Sequence, residues 1–281
     1  MQLRIMRTIT IGVVSIILLM IIISTSTGVQ GAITIPQIIV HEESHGVYRF
    51  EEYVPFFQGD LYYRVNVYAV RVRNNFILVD TGVWYLFDSL YSKIMATLGK
   101  APIAVLVTHG HADHAGAGSM FKALGIPVYI PQGDSYMIQI GMQFPGVNPL
   151  FTYPGYQSSN TLVSGNTVFG LLVLATPGHT PGSVSFFDPP SKMLFCADTT
   201  ISKDNDVLEN NDLTYFIQLQ TLLSQTVSDL TTQLQSLELL KLQEKGSVAI
   251  FPGHGQLYYG RWPIRYFILY SEGIVQSLLP Y

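Results

Sequence analysis

The stretch VTHGHADHAGA, residues 107–117, places His109, His111, Asp113 and His114 within six positions. Before it, IAVLVTH (103–109) is a short apolar run of the kind that forms a buried strand. The small residues Gly110, Ala112, Ala115 and Gly116 let the backbone curl where that strand ends, so the four polar side chains can converge. Imidazole and carboxylate groups bind zinc at about 2.0–2.2 Å, and a curling loop can serve two adjacent ions.

Two more histidines occupy similar places further along. His179 closes the apolar run of LLVLATPGHTPGS (171–183), and His254 closes that of VAIFPGHG (248–255). Asp198 ends a third run, KMLFCADTT (192–200). Five of the seven histidines therefore lie at predicted strand ends beside glycines, a distribution that scattered core or surface histidines would not produce. Convergence at one sheet edge is the economical reading.

The remaining patterns supply strands and helices around these ends. GVYRFEEYVPFF (46–57), YYRVNVYAVRV (62–72) and NFILVDTG (75–82) are rich in Val, Ile, Tyr and Phe, with QGD (58–60) and RNN (73–75) as turns, and read as antiparallel strands. WYLFDSLYSKIMATLGK (84–100) has helical spacing and ends in Gly-Lys. MFKALG (120–125) reads as helix and PVYIP (127–131) as strand. From Asp134 to Asn160 the chain reads as a long loop, with Phe144, Phe151, Tyr153 and Tyr156 as candidates, together with Tyr258, Tyr259 and Trp262, for the wall of a substrate pocket. Strands return in TVFGLLVLATPG (167–178) and SVSFFD (183–188), and 212–243 reads as one long helix or two. Alternating strands and helices predict a layered α/β fold.

HGHADH, TPGHTPGS, LFCADT and PGHG, in that order and preceded by ILVDTG with Asp80, resemble the ligand motifs of the metallo-β-lactamase-fold superfamily over about residues 46–258. The resemblance implies an α/β fold, a four-layer αββα sandwich of two packed mixed sheets with metals at one edge. It implies one ion on His109, His111 and His179, a second on Asp113, His114 and His254, and Asp198 bridging them. It implies two zinc ions, with iron or manganese as alternatives, and a metal-bridging hydroxide that attacks a small carbonyl ester, lactone, thioester or amide. Asp113 would orient the nucleophile or carry its proton, and Asp80 would steady the ligands. The superfamily's β-lactamases usually have Cys or Ser where this chain has Asp198, which favours the glyoxalase II-like and lactonase-like hydrolases. A β-lactamase proper and a mononuclear-iron sulfur dioxygenase are the rival readings.

Composition bounds the rest. With 48% apolar and 12% charged residues, 281 residues can bury a large core. Arg4 and Arg7 precede an aliphatic run from Ile9 to Ile23, and STSTGVQGA (24–32) offers a cleavage site near Gly31 and Ala32. The expected organisation is therefore a signal peptide or membrane anchor over 1–31, with residues 8–24 as the membrane-contacting part, and a catalytic domain over 32–281. The expected location is secreted or extracytoplasmic. Without Arg4 and Arg7 the net charge falls from -4 to -6, so a small-molecule substrate is expected and a nucleic acid is not. Cys196 is the only cysteine, and strand parity would turn it the same way as Asp198. HEESH (41–45) matches the H-E-x-x-H zinc-protease pattern, but Gly46 and a strand-like run follow at once, so it reads as a solvated turn.

Overall fold

The computed structural model describes residues 37–56, 61–142, 152–200, 232, 234–237, 239 and 249–259. The chain divides after Ile35 into two units, and all described residues lie in the second. The leader (1–31), the QGD turn, Phe144, Phe151, Trp262 and most of the helix expected over 212–243 lie outside the described residues.

The strands are β1 (Ile38–Glu42), β2 (Val47–Phe56), β3 (Leu61–Val72), β4 (Asn75–Val79), β5 (Ala104–Leu106), β6 (Val128–Pro131), β7 (Gly141–Met142), β8 (Tyr153–Pro154) and β9 (Asn160–Leu162). They continue with β10 (Thr167–Val168), β11 (Leu171–Ala175), β12 (Val184–Asp188), β13 (Met193–Ala197), β14 (Ala249–Pro252) and β15 (Tyr258–Tyr259). The helices are α1 (Phe87–Leu98), α2 (Ala112–Ala115), α3 (Gly118–Ala123) and α4 (Ser135–Ile140). A seven-stranded mixed sheet has the order β1-β2-β3-β4-β5-β6-β9, and a six-stranded one the order β10-β11-β12-β13-β14-β15.

Period-two alternation decides what each strand face meets. On β4 and β5, Phe76, Leu78, Val105 and Val107 face one way and Ile77, Val79, Ala104 and Leu106 the other. The first set packs under α1 and α3, against Phe87, Leu90, Ile94 and Phe121. The second set packs between the sheets, against Leu171, Val173, Phe186, Phe195 and Phe251. A central strand buried on both faces must be apolar throughout, which is why these runs read as continuous. Three layers, helix on sheet on sheet, are thus visible. The expected fourth layer lies outside the described residues.

Strand direction places the site. β4, β5 and β6 run parallel. In the second sheet β11 and β13 are each antiparallel to β12, and β13 is parallel to β14, so β11, β13 and β14 share one direction. The two sheets are stitched at these ends by backbone bonds from Val184 N–H to Thr108 O and from Asn66 N–H to Gly253 O, 2.9 and 2.8 Å.

Three local readings are corrected. TVFGLLVLATPG folds as a hairpin, β10 and β11, because Phe169 and Gly170 both take positive φ (51° and 92°). The expected loop after Asp134 contains α4 and the β7-β8 pair. HEESH starts inside β1: His41 bonds Glu51 at 3.1 Å, and the helical turn that follows is only Ser44–Gly46. The two histidines therefore cannot share a helix face. Among the described residues no helix is long and apolar enough to cross a membrane.

Leu90 sits wholly buried at the centre of the α1 contact. Leu90→Ala is expected to cost about 2–5 kcal/mol, read as a lower midpoint in denaturant unfolding; an unchanged midpoint would contradict its place in the core.

Candidate metal centre

All seven predicted ligands meet at the shared strand ends. His109 and His111 follow β5, and α2 then carries Asp113 and His114. His179, Asp198 and His254 follow β11, β13 and β14. Three donor groups form, each within 4.8 Å: His109, His111 and His179; His109, His114 and Asp198; and Asp113, His114 and His254. Each therefore mixes residues from both sheets.

His111 Nδ1 stands 3.1 Å from His109 Nε2 and 2.8 Å from His179 Nε2. Asp198 lies between this trio and the rest: its Oδ2 is 3.2 Å from His179 Nε2 and 3.1 Å from His254 Nε2, and its Oδ1 is 3.3 Å from His114 Nε2. Asp113 Oδ2 closes the second group at 3.7 Å from His114 Nε2 and 3.6 Å from His254 Nε2.

Local backbone aims these groups. β13 shifts register between Phe195 and Ala197, and Ala197 takes φ +42°, a strained value for a residue with a Cβ. The strand's parity breaks there. Asp198 turns into the site, while the fully buried Cys196 thiol instead lies 3.1 Å from Thr200 Oγ1 and is pushed up to about 12 by burial. It stays a neutral thiol, to which the Asp198 charge contributes, and it is in none of the donor groups among the described residues, as expected of a cysteine near the site that is not a ligand. Gly253 is required where β14 ends, since a Cβ would collide with Asp198 Oδ1 and come within 2.8 Å of His114 Cε1.

Supporting bonds choose the tautomers. Asp80, at positive φ (67°) after β4, accepts the Thr108 N–H at 2.7 Å and the Thr108 hydroxyl at 2.9 Å. It also accepts His114 Nδ1–H at 2.8 Å. Because the Thr108 hydroxyl donates to Asp80, its lone pair takes His109 Nδ1–H at 3.1 Å. Both Nε2 atoms are left with lone pairs directed inward. His254 gets the same treatment from Arg64 O, 2.6 Å from its Nδ1. Thr108 and the Arg64 carbonyl had no legible signal in the sequence.

Burial drives the His109 and His111 imidazoles well below their ordinary range, and neighbouring imidazoles add to the shift. Burial works against the Asp198 charge, but His254, His114 and His179 together hold that carboxyl well below the usual carboxylate range. His114 Nε2 is buried without a hydrogen-bond partner, facing two carboxylates. Burial opposes a charge on His114 and His254 as well, but the Asp198 and Asp113 carboxylates raise both above the ordinary imidazole range. Imidazole nitrogens and carboxylate oxygens gathered at one place form a donor set of the kind divalent zinc takes.

Residues 62–254 match the model of the metallo-beta-lactamase superfamily. The chain belongs to that superfamily. An uncharacterized protein, YobT, of Bacillus subtilis (strain 168) is 29% identical over 143 residues, 48% of this chain and 61% of that protein. A hydroxyacylglutathione hydrolase of Nitrosomonas europaea is 33% identical over 174 residues, 56% of this chain and 58% of that enzyme. The chain thus spans about three fifths of these relatives. A solved metallo-beta-lactamase from Pontibacter korlensis superposes with TM-score 0.65 at 18% identity, covering 86% of this chain and 100% of that one, which shows the shared fold.

Of the aromatic residues that either a pocket wall or packing alone could use, two belong to the packing. Tyr153 and Tyr156 are buried in the helix-side core, and Tyr259 donates to Glu43 at 2.8 Å.

Behind the centre of this superfamily member lies a carboxyl absent from its motif set. Glu52 is fully buried on β2 and accepts the Val83 N–H at 2.9 Å. Burial pushes it up to about 8, the Val83 bond opposes that, and the Asp113 charge adds to it. The folded chain thus holds a proton that the unfolded chain releases near 4.5. The stability this contributes is complete below pH 4.5 and is lost as pH rises through about 8, at about 1.4 kcal/mol per pH unit. Glu52→Gln keeps the acceptor for Val83 and removes the proton, so its melting temperature is expected to fall less than the parent's between pH 5 and 8. Parallel melting profiles would contradict the assignment.

Proposed function

We propose that this chain is a metal-dependent hydrolase holding two divalent ions, with zinc first among them, and acting on a small carbonyl ester, lactone, thioester or amide. The observation that carries the reading is the placing of two donor groups, three-histidine and aspartate-histidine-histidine, on either side of Asp198. A structural zinc site is closed by four ligands from one local motif, commonly cysteines, whereas here donors from both sheets gather at an edge. A pair of ions bound there supplies water ionised near neutral pH and polarises the substrate carbonyl.

The chain's own residues do the rest. His109, His114 and His254 have their Nδ1 atoms engaged by Thr108, Asp80 and Arg64 O, which leaves each Nε2 to a donor group. Asp198 offers negative charge to both groups. Asp113 keeps its side chain 15% exposed, against 4% for Asp198, so it is the carboxylate able to reach both solvent and site. It is assigned to orient the attacking water and to accept its proton, passing it to the leaving group.

Among bond classes, thioesters come first, because relatives named hydroxyacylglutathione hydrolase are as much as 33% identical over the matched residues. β-Lactams come second: the solved β-lactamases share the fold at 16–18% identity, and Asp198 stands where the superfamily's β-lactamases usually have Cys or Ser.

Proton release in a pH-stat, with the zinc-loaded chain against thioesters, lactones, aryl esters, phosphodiesters and β-lactams, tests the reading. Chelator-sensitive acid release from a carbonyl class is expected, and Asp113→Ala should lower kcat by about 10²–10⁴-fold with the fold intact. Silence across the panel, or unchanged turnover in that variant, would contradict it.

A further inference from the structure

Asp134 is a buried carboxylate that belongs to none of the donor groups, and its bonds run to both sides of the three-histidine trio. It ends the single helical turn Gln132–Asp134 after β6, is 1% exposed, and stands at the N-terminal boundary of α4. An aspartate at such a position ordinarily caps the helix that follows, yet the Asp134 side chain makes no capping bond to α4. It accepts instead the Gly110 N–H at 2.8 Å, the Thr180 hydroxyl at 2.6 Å and the Gly182 N–H at 2.6 Å.

Gly110 lies between His109 and His111, while Thr180 directly follows His179 and Gly182 stands two residues beyond Thr180. One carboxylate therefore spans the ligand loop of the first sheet and that of the second. Gly110 is gripped further: its carbonyl accepts the Tyr153 hydroxyl at 2.9 Å, and Met137 Sδ lies where a Cβ would stand, 2.7 Å away. At Gly182 a Cβ would collide with the Asp134 amide, so the loop's approach to the carboxylate depends on that glycine. The other donor group is held by different means, His114 through Asp80 and Thr81, and His254 through Arg64 O.

Resting on the dinuclear reading, we propose that Asp134 is the positioning residue of the three-histidine site: it fixes His111 against His179 across the sheet junction and so sets the affinity of that site alone. Removing it would leave two buried N–H groups without an acceptor, one in each ligand loop. The loops can then satisfy them only by moving, and the 2.8 Å approach of His179 to His111 opens.

The test is competition of the full chain against a chromophoric chelator for zinc, giving two dissociation constants for the parent, Asp134→Ala, Asp134→Asn and Thr180→Val, alongside the thermal melt of each metal-free chain. Asp134→Ala is expected to weaken one constant by about 10–100-fold and leave the other within error, with zinc-induced shifts lost from the His111 and His179 ring resonances and kept on His114 and His254. Asp134→Asn, which keeps one acceptor oxygen, and Thr180→Val should fall between parent and Asp134→Ala, and they decide the matter if Asp134→Ala does not fold. Two constants unchanged in the folded variants, or both weakened equally, would overturn the positioning role while leaving the dinuclear reading in place. A parent chain that binds no zinc would overturn both.

Discussion

The Asp80 carboxylate, at a strained φ where β4 ends, is the contact on which the rest of the centre depends. It receives the amide and hydroxyl of Thr108, which ends the neighbouring strand run, and the Nδ1–H of His114 from α2. Through the Thr108 hydroxyl it also fixes His109. A single buried anion thus sets the tautomers of one histidine in each outer donor group. Burial raises its carboxyl above the usual carboxylate range, and the His114 ring and the Thr108 donors offset only part of that cost. The acceptor geometry also explains why an aspartate tolerates a left-handed backbone here: its short side chain bonds groups at the turn that a longer one would overshoot.

Around that anchor, sheet topology does the assembling. The clustered histidines and aspartates come from loops after β5, β11, β13 and β14, strands whose ends are brought together because β11, β13 and β14 share a direction and the two sheets pack face to face. Neither sheet holds a complete donor group by itself. The apolar layer between them, with Val79, Leu106, Phe195 and Phe251 among its members, is therefore what keeps metal donors within a few ångströms of one another. Packing energy and site geometry are coupled at this edge.

Much of this was legible in the chain. The convergence of the seven histidines and aspartates was, because histidines beside glycines at the ends of successive apolar runs are brought together when those strands pack side by side. The strands were, because central strands buried on both faces must be apolar throughout. Less visible were features set by one dihedral or one bond. The positive φ of Phe169 splits an apolar run into a hairpin, and that of Ala197 accompanies the register shift at the end of β13 before Asp198. Thr108 and Asp134 were unreadable because their partners lie across turns or some 46 residues away, and a lone threonine or aspartate carries no periodic signal. HEESH shows the converse, a full motif match that β1 makes inert by putting His41 on a strand, bonded to Glu51.

The most direct measurement of the central claim is anomalous X-ray diffraction at the zinc edge from crystals grown with zinc. Two peaks per chain are predicted, one among His109, His111 and His179 and one among Asp113, His114 and His254, with Asp198 between them. A single peak elsewhere, or none at the junction of the two sheets, would contradict the account.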